Sequence, residues 1–146
     1  YNASNFHTLL SNEEAKVAFL SFSTKGSAEH YRVEKVREAV KLFSKKHPDI
    51  LHDGELQFDA AICPEVAKLK DSSSKLNGKA NVFIFPNLDS GNIAYKITQY
   101  LAGYTAWGPL LQGFNKPVHD LSRGCSVEDI ICVSSIAARQ SLKNKD

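Results

Sequence analysis

The sequence predicts an α/β domain, in which a mostly parallel sheet carries helices on both faces, three layers in all. Three observations lead there. The runs Val17-Ala18-Phe19-Leu20 and Val82-Phe83-Ile84-Phe85 are continuously apolar rather than alternating, as strands buried on both faces require. Other stretches carry apolar residues three and four apart, the spacing of an amphipathic helix. Strand, loop and helix then follow one another repeatedly, the order that builds parallel sheets.

Val17–Leu20 is the first predicted strand, and it ends in the turn-like segment Ser21–Ser27. A helix is expected from Glu29 to Lys46, with Val33, Val36, Val40 and Phe43 inward and Arg32, Glu34, Lys35, Glu38 and Lys41 on the wet side. His47-Pro48-Asp49 stops it. Asp53-Gly54-Glu55 reads as a turn, and Leu56-Gln57-Phe58 alternates as a short strand. Asp59 is placed to cap a helix running to about Lys70, provided that Pro64 lies in the first turn. The Ser- and Lys-rich segment Asp71–Lys79 is a loop. Val82–Phe85 is a buried strand closed by Pro86-Asn87, and Ser90-Gly91 opens a helix through about Leu101, ended by Gly103. A third strand candidate, Ala106–Leu111, is interrupted by Gly108-Pro109. Gln112–Gly124 is a loop before a last helix, Val127–Leu142, with Ile130, Val133, Ile136 and Ala137 on its apolar face.

Composition narrows the function classes. With 146 residues, 42% hydrophobic and 23% charged, the chain has the make-up of one globular domain. Such a length buries roughly 70% of its unfolded surface without metal or disulfide staples. No apolar run approaches the ~20 residues of a membrane-spanning helix, and no signal segment opens the chain. Eighteen basic residues against sixteen acidic ones leave a net charge of +2, too little basic excess for a sequence-independent nucleic-acid binder. Cys63, Cys125 and Cys132 have neither zinc-site spacing nor an even count, which fits a reducing cytoplasm. The chain has no methionine and opens at Tyr1, so it reads as a fragment, and its first residues match no recognisable pattern.

In open parallel sheets ligands bind outside the carboxyl ends of the strands, which directs attention to three loops: Ser21–Ser27, Pro86–Gly91 and Gln112–Cys125. The last is the most informative. Asp120-Leu121-Ser122-Arg123-Gly124-Cys125-Ser126 sets a hydroxyl, a guanidinium and a thiol before a helix start, where free N–H groups, a positive dipole end and a planar fork of donors favour phosphate. Asp129, three residues further on, is a candidate base if its surroundings raise its pKa. The same spacing from Ser126 is also that of a simple helix cap. Ser23-Thr24-Lys25-Gly26-Ser27 has the composition of a phosphate loop but not its spacing, and a turn is the plainer reading. Cys125 is either a nucleophile or a spectator thiol, while His119 reads as an ordinary loop residue. His30, His47 and His52 show no metal spacing, and Trp107 belongs to a core or an interface.

Five stretches together carry a resemblance: 21–27 (SFSTKGS), 53–61 (DGELQFDAA), 80–87 (ANVFIFPN), 90–96 (SGNIAYK) and 108–126, which runs from GPLLQG to KPVHDLSRGCS. From about Val17 to the end, in this order, the chain resembles the carboxyl-terminal half of the phosphate acetyl/butyryltransferase family, and phosphate acetyltransferase in particular. The resemblance implies an isocitrate/isopropylmalate dehydrogenase-like fold. It also implies reversible acetyl transfer between acetyl phosphate and coenzyme A, with inorganic phosphate as the other product, by a homodimer; no further cofactor is expected, and the sequence shows no metal requirement. By motif position, Arg123 would hold the acetyl phosphate, Ser122 would donate to the developing oxyanion and Asp129 would deprotonate the thiol. Cys125, Ser126, Asn87, Gly91 and Asn92 would contact substrate.

Family members are about twice this long, so the expected organisation is partial: 1–16 a leader of uncertain structure, 17–113 the family's second α/β domain, and 114–146 the active-site loop and final helix. Two other functions fit the same resemblance. One is phosphate butyryltransferase, with a longer acyl chain. The other is a non-catalytic acetyl-CoA-sensing domain of the kind found in malic enzymes.

Overall fold

The computed structural model describes residues 1–143; residues 144–146, the end of the expected 114–146 segment, lie outside them. The chain divides into two compact units, one of Tyr1 and Ala3–Ala94, the other of Asn2 and the residues from Tyr95 onward.

The first unit is built on a three-stranded parallel sheet of β1 (Lys16–Leu20), β2 (Leu51–Leu56) and β3 (Val82–Ile84), in the order β2-β1-β3. β1 is central and its residues alternate between two cores. Ala18 and Leu20 join Leu56, Ala60, Ala61 and Leu76 on one face, against α3 (Phe58–Ile62) and α4 (Pro64–Lys70). Val17 and Phe19 join Val36 and Val82 on the other, against α2 (Tyr31–Lys46) and Ala3 of α1 (Asn2–Ser11). The sheet is thus covered on both sides, the α/β class that continuous apolar strands predict.

Several elements depart from expectation, each for a physical reason. Residues 1–16, expected as a leader without assignable structure, contain α1, which ends at Asn12 in a left-handed conformation (φ 61°). α2 starts at Tyr31, two residues late, because His30 caps it by accepting the Arg32 N–H at Nδ1, 3.2 Å away. The second strand is Leu51–Leu56, so the Asp53-Gly54-Glu55 turn is wrong: both acids are buried within β2. They tolerate burial because each has a cationic partner, Lys25 for Asp53 and Arg37 for Glu55. Glycine is required between them. A Cβ at Gly54 would lie 2.7 Å from the Phe19 Cβ and 2.9 Å from a Val40 methyl, so its absence lets α2 pack onto the sheet.

The single helix expected up to Lys70 is two, broken at Cys63, with Pro64 at the first position of α4, where its missing N–H costs nothing. Asp59 lies in the first turn of α3 rather than capping it, and pairs with Lys70 at 2.7 Å.

Helix α5 (Leu88–Tyr100) crosses from the first unit into the second. In the second unit the expected strand over Ala106–Leu111 is absent. Leu110 and His119 form only an isolated antiparallel bridge, because Pro109 has no N–H to extend a ladder. α6 (Val127–Lys143) closes the described chain, with Val133 and Ile136 buried as its periodicity predicts. Trp107 is 53% exposed, which removes the core reading.

Candidate functional site

The sheet's connections place β1 between strands reached by opposite excursions, through α2 to β2 on one side and from β2 to β3 on the other. The carboxyl ends of β1 and β3 therefore flank a topological switch point, where α/β sheets hold their ligands. A groove of about 800 Å³ opens there, floored by Leu20, Ser21 and Phe85 and rimmed by Tyr31, Arg32, Lys35 and Asn87. Lys35 reaches across it to donate to the Pro86 carbonyl at 2.8 Å.

One wall follows the segment after β1, which Glu55 holds in place. Its Oε1 accepts from the Gly26 N–H at 2.8 Å, the Ser23 hydroxyl at 3.1 Å and an Arg37 N–H at 3.1 Å. Burial pushes the Glu55 carboxyl up, but these donors together hold it below its ordinary value. Residues Ser23–Ser27 make a turn, with the Thr24 N–H donating to the Ser27 hydroxyl and the Ala28 N–H to the Ser23 hydroxyl. Ser23 and Thr24 are buried, which favours the plain turn over a phosphate loop at this place.

Of the residues named from sequence, Asn87, Gly91 and Asn92 fall at the start of α5. Asn87 lines the groove and also caps the helix: its Oδ1 accepts the Ser90 N–H at 2.9 Å, while the Ser90 hydroxyl donates to its carbonyl at 3.0 Å. Gly91 packs near Phe85, and Asn92 is exposed.

The other named residues lie together in the second unit. Ser122 closes a tight turn, accepting the Cys125 N–H at its carbonyl (3.0 Å) and the Gly124 N–H at its hydroxyl (3.3 Å). That turn presents Arg123 outward, exposed and in no ion pair among the described residues. Ser126 and Asp129 form a reciprocal capping box. The Asp129 N–H donates to the Ser126 hydroxyl oxygen at 3.1 Å, and Asp129 Oδ2 accepts the Ser126 N–H at 2.8 Å and its hydroxyl at 2.9 Å. First the Ser126 N–H and then its hydroxyl hold the Asp129 carboxyl below the ordinary value, so its pKa is lowered where a stronger base would need it raised. Cys125 is a free, half-buried thiol.

His119 Nε2 meets Gln140 Oε1 at 2.6 Å, a structural pairing. His52 bridges Ser44 and the Ile50 carbonyl, and His47 stacks on Tyr1. Among the described residues no group of His, Cys, Asp and Glu is arranged to hold a metal, and no helix is long and apolar enough to cross a membrane. Sequence reasoning missed the groove's cationic rim, because Arg32 and Lys35 read as the solvated face of a helix. The signal that finds them is their position at the start of the helix that follows the central strand.

Fold and loops define a doubly wound parallel α/β protein with an exposed arginine in the turn before its last helix. A family model for phosphate acetyl/butaryl transferase matches residues 1–138, and the chain belongs to that family. The match includes α1, the stretch for which the sequence alone offered no family segment. A phosphate acetyltransferase of Staphylococcus aureus (strain Mu50 / ATCC 700699) is 58% identical over 134 residues, covering 89% of this chain and 41% of that protein. Among solved structures, a phosphotransacetylase from Streptococcus pyogenes superposes with a TM-score of 0.92 at 50% identity, covering 97% of this chain and 43% of that one. The EutD phosphotransacetylase from Staphylococcus aureus gives 0.89 at 53% identity, covering 96% and 43%. The chain spans about two fifths of the length of the curated relatives it matches.

Proposed function

We propose that this chain is part of a phosphate acetyltransferase, which moves an acetyl group reversibly between inorganic phosphate and coenzyme A. The observation that supports it most is identity above one half to proteins named for that activity, with the Ser122–Asp129 segment forming an ordered turn and helix start.

Arg123 carries a fixed positive charge with a planar fork of donors, suited to two phosphate oxygens of acetyl phosphate. Asp129, ionised at neutral pH, takes the proton of the coenzyme A thiol. The thiolate attacks the acetyl carbonyl carbon, and the negative charge that builds on oxygen receives the Ser122 hydroxyl as donor. Collapse forms the thioester C–S bond and breaks the bond to phosphate, which leaves with the electron pair and recovers the proton from Asp129. Cys125, Ser126, Asn87, Gly91 and Asn92 serve as substrate contacts, and no metal or further cofactor enters.

The assembly is a homodimer in the cytoplasm. α5 supports this, since Ile93, Ile97 and Tyr100 recur at helical spacing and are 57%, 51% and 76% exposed, an apolar stripe that a second copy would cover. Residues 17–113 act as the second domain of the family, and 114–146 as the loop and helix carrying the catalytic group. Thioester absorbance after mixing the chain with acetyl phosphate and coenzyme A tests the activity. Turnover that Arg123→Ala abolishes supports it; a folded chain that neither transfers acetyl nor binds acetyl phosphate refutes it.

A further inference from the structure

We propose that Lys25 is a positioning residue for acetyl transfer: through Asp53 it locks the turn between β1 and α2 without itself touching substrate. The reaction it serves rests on the acetyltransferase reading. Ser23-Thr24-Lys25-Gly26-Ser27 supplies no group to the chemistry, yet its backbone is demanding. The Ser27 N–H donates to the Thr24 carbonyl at 3.1 Å, and the two residues between them have positive φ, 45° at Lys25 and 87° at Gly26. Glycine adopts that conformation freely, whereas a residue with a Cβ resists it, so Lys25 is held there by its surroundings.

Those surroundings are the end of β2. The Lys25 N–H donates to the Glu55 carbonyl at 3.1 Å, and the ammonium donates to the Asp53 carboxylate and, at 3.0 Å, to the Gly54 carbonyl. The Gln57 N–H donates to the neighbouring Thr24 hydroxyl at 2.9 Å, so the turn is tied to β2 on both sides of the lysine. Asp53 is buried, and among the described residues Lys25 is the only cation paired with it. A buried carboxylate needs such a partner, which accounts for a lysine at a position whose backbone favours glycine. The turn in turn fixes two borders of the groove. Ser21 and Phe22 before it and Tyr31 and Arg32 after it line the groove, as does the proposed substrate contact Asn87, whereas Lys25 and Asp53 do not. Only residues 23–30 join those borders, so loosening the turn lets one border shift against the other.

Steady-state kinetics of the full-length enzyme with coenzyme A and acetyl phosphate, run beside amide hydrogen exchange, test this. Lys25→Met removes the ammonium and keeps the apolar stem. It should raise KM for coenzyme A, the larger substrate, about tenfold while kcat changes by less than about twofold, the mark of weakened binding rather than weakened chemistry. The Gly26 and Ser27 amides should exchange about tenfold faster in the same variant. Lys25→Arg, whose guanidinium can still pair with Asp53, should bring KM back to within about threefold of wild type. Asp53→Asn should reproduce the rise in KM, since Asp53 acts only through the lysine. A merely structural role predicts something else: a smaller folded fraction, which lowers apparent kcat and leaves KM alone. Four results overturn the proposal. They are an unchanged KM in folded Lys25→Met, no rescue by arginine, unchanged exchange in the turn, or a KM that rises in Lys25→Met but not in Asp53→Asn, which would make the lysine a direct substrate contact. The two readings fail distinguishably. A folded wild-type enzyme that transfers no acetyl removes both, whereas wild-type transfer with an unchanged KM in Lys25→Met removes the positioning role alone.

Discussion

Replacing Glu55 by alanine tests how the wall of the groove is held. Glu55 is 3% exposed, and its carboxylate gathers three donors, from Ser23, Gly26 and Arg37, onto one oxygen. Without it Arg37 keeps Glu34 as a partner, but the Ser23 hydroxyl and the Gly26 N–H lose their charged acceptor, each such bond contributing roughly 1.5–3 kcal/mol. Water entering the vacated space and relaxation of the Ser23–Ser27 turn recover part of this. The expected net loss is about 3 kcal/mol, large against the roughly 5–15 kcal/mol that holds a domain of this size folded. Urea unfolding followed by circular dichroism reads it as a lower midpoint at constant slope. Glu55→Gln, which keeps an oxygen acceptor but no charge, should fall between the two. A loss under about 1 kcal/mol for Glu55→Ala would refute the claim that this carboxylate organises the turn.

The same group predicts an acid limb. Burial raises the carboxyls of Asp53 and Glu55, yet Lys25 and the Gly54 N–H for Asp53, and Arg37 and the Gly26 N–H for Glu55, bring both below their ordinary values. A folded-state pKa below the unfolded one contributes stability that is complete above about pH 4.3 and drains away as pH falls through the folded value. Wild-type stability should therefore decline below that pH, and Glu55→Ala should decline less steeply.

Other expectations concern the loop before α6 and one turn. Arg123→Ala and Asp129→Ala should each lower acetyl transfer by on the order of 10²-fold in the full-length enzyme, measured as thioester absorbance. Because Ser126 holds the Asp129 carboxyl low, the acid limb of kcat/KM should fall below the ordinary aspartate value of about 3.9 rather than near neutrality. Ser126→Ala removes the hydroxyl half of the capping box and should cost about 1 kcal/mol, read by urea unfolding. Gly78→Ala should cost roughly 2 kcal/mol or prevent folding, since Gly78 sits at φ +65° and a Cβ would lie 2.5 Å from the Cys63 carbonyl carbon.

What could be read from the sequence follows the range of the interactions. β1, α2, β3 and α6 are fixed by local apolar patterning, and each lies within a few residues of its expected place. β2 was hidden because its acids are neutralised by partners far along the chain, Asp53 by Lys25 and Glu55 by Arg37, 28 and 18 residues away. Side chains that look like a solvated turn in sequence become strand residues only once those cations arrive. α1 lacks the usual markers, having neither a side-chain cap nor an acid in its first turn. At the candidate site, the Ser122–Asp129 segment was visible from its spacing, and its capping box forms as that spacing allows. The groove was not visible. Its lining comes from the ends of separate elements, Phe22 after β1, Arg32 and Lys35 on α2, Phe58 after β2 and Asn87 after β3, which only the sheet order brings together.

β1 is five residues long, yet among the described residues it is the only strand with neighbours on both sides, and successive side chains feed opposite cores. Both layers of helices pack on this strand, so unseating it would loosen both at once. The amides of Val17 to Leu20 should accordingly be the last to exchange with deuterium, their opening costing as much as unfolding the whole unit. A polar substitution at Ala18 would then be felt in both layers, so damage to one short strand spreads through the unit as a single event.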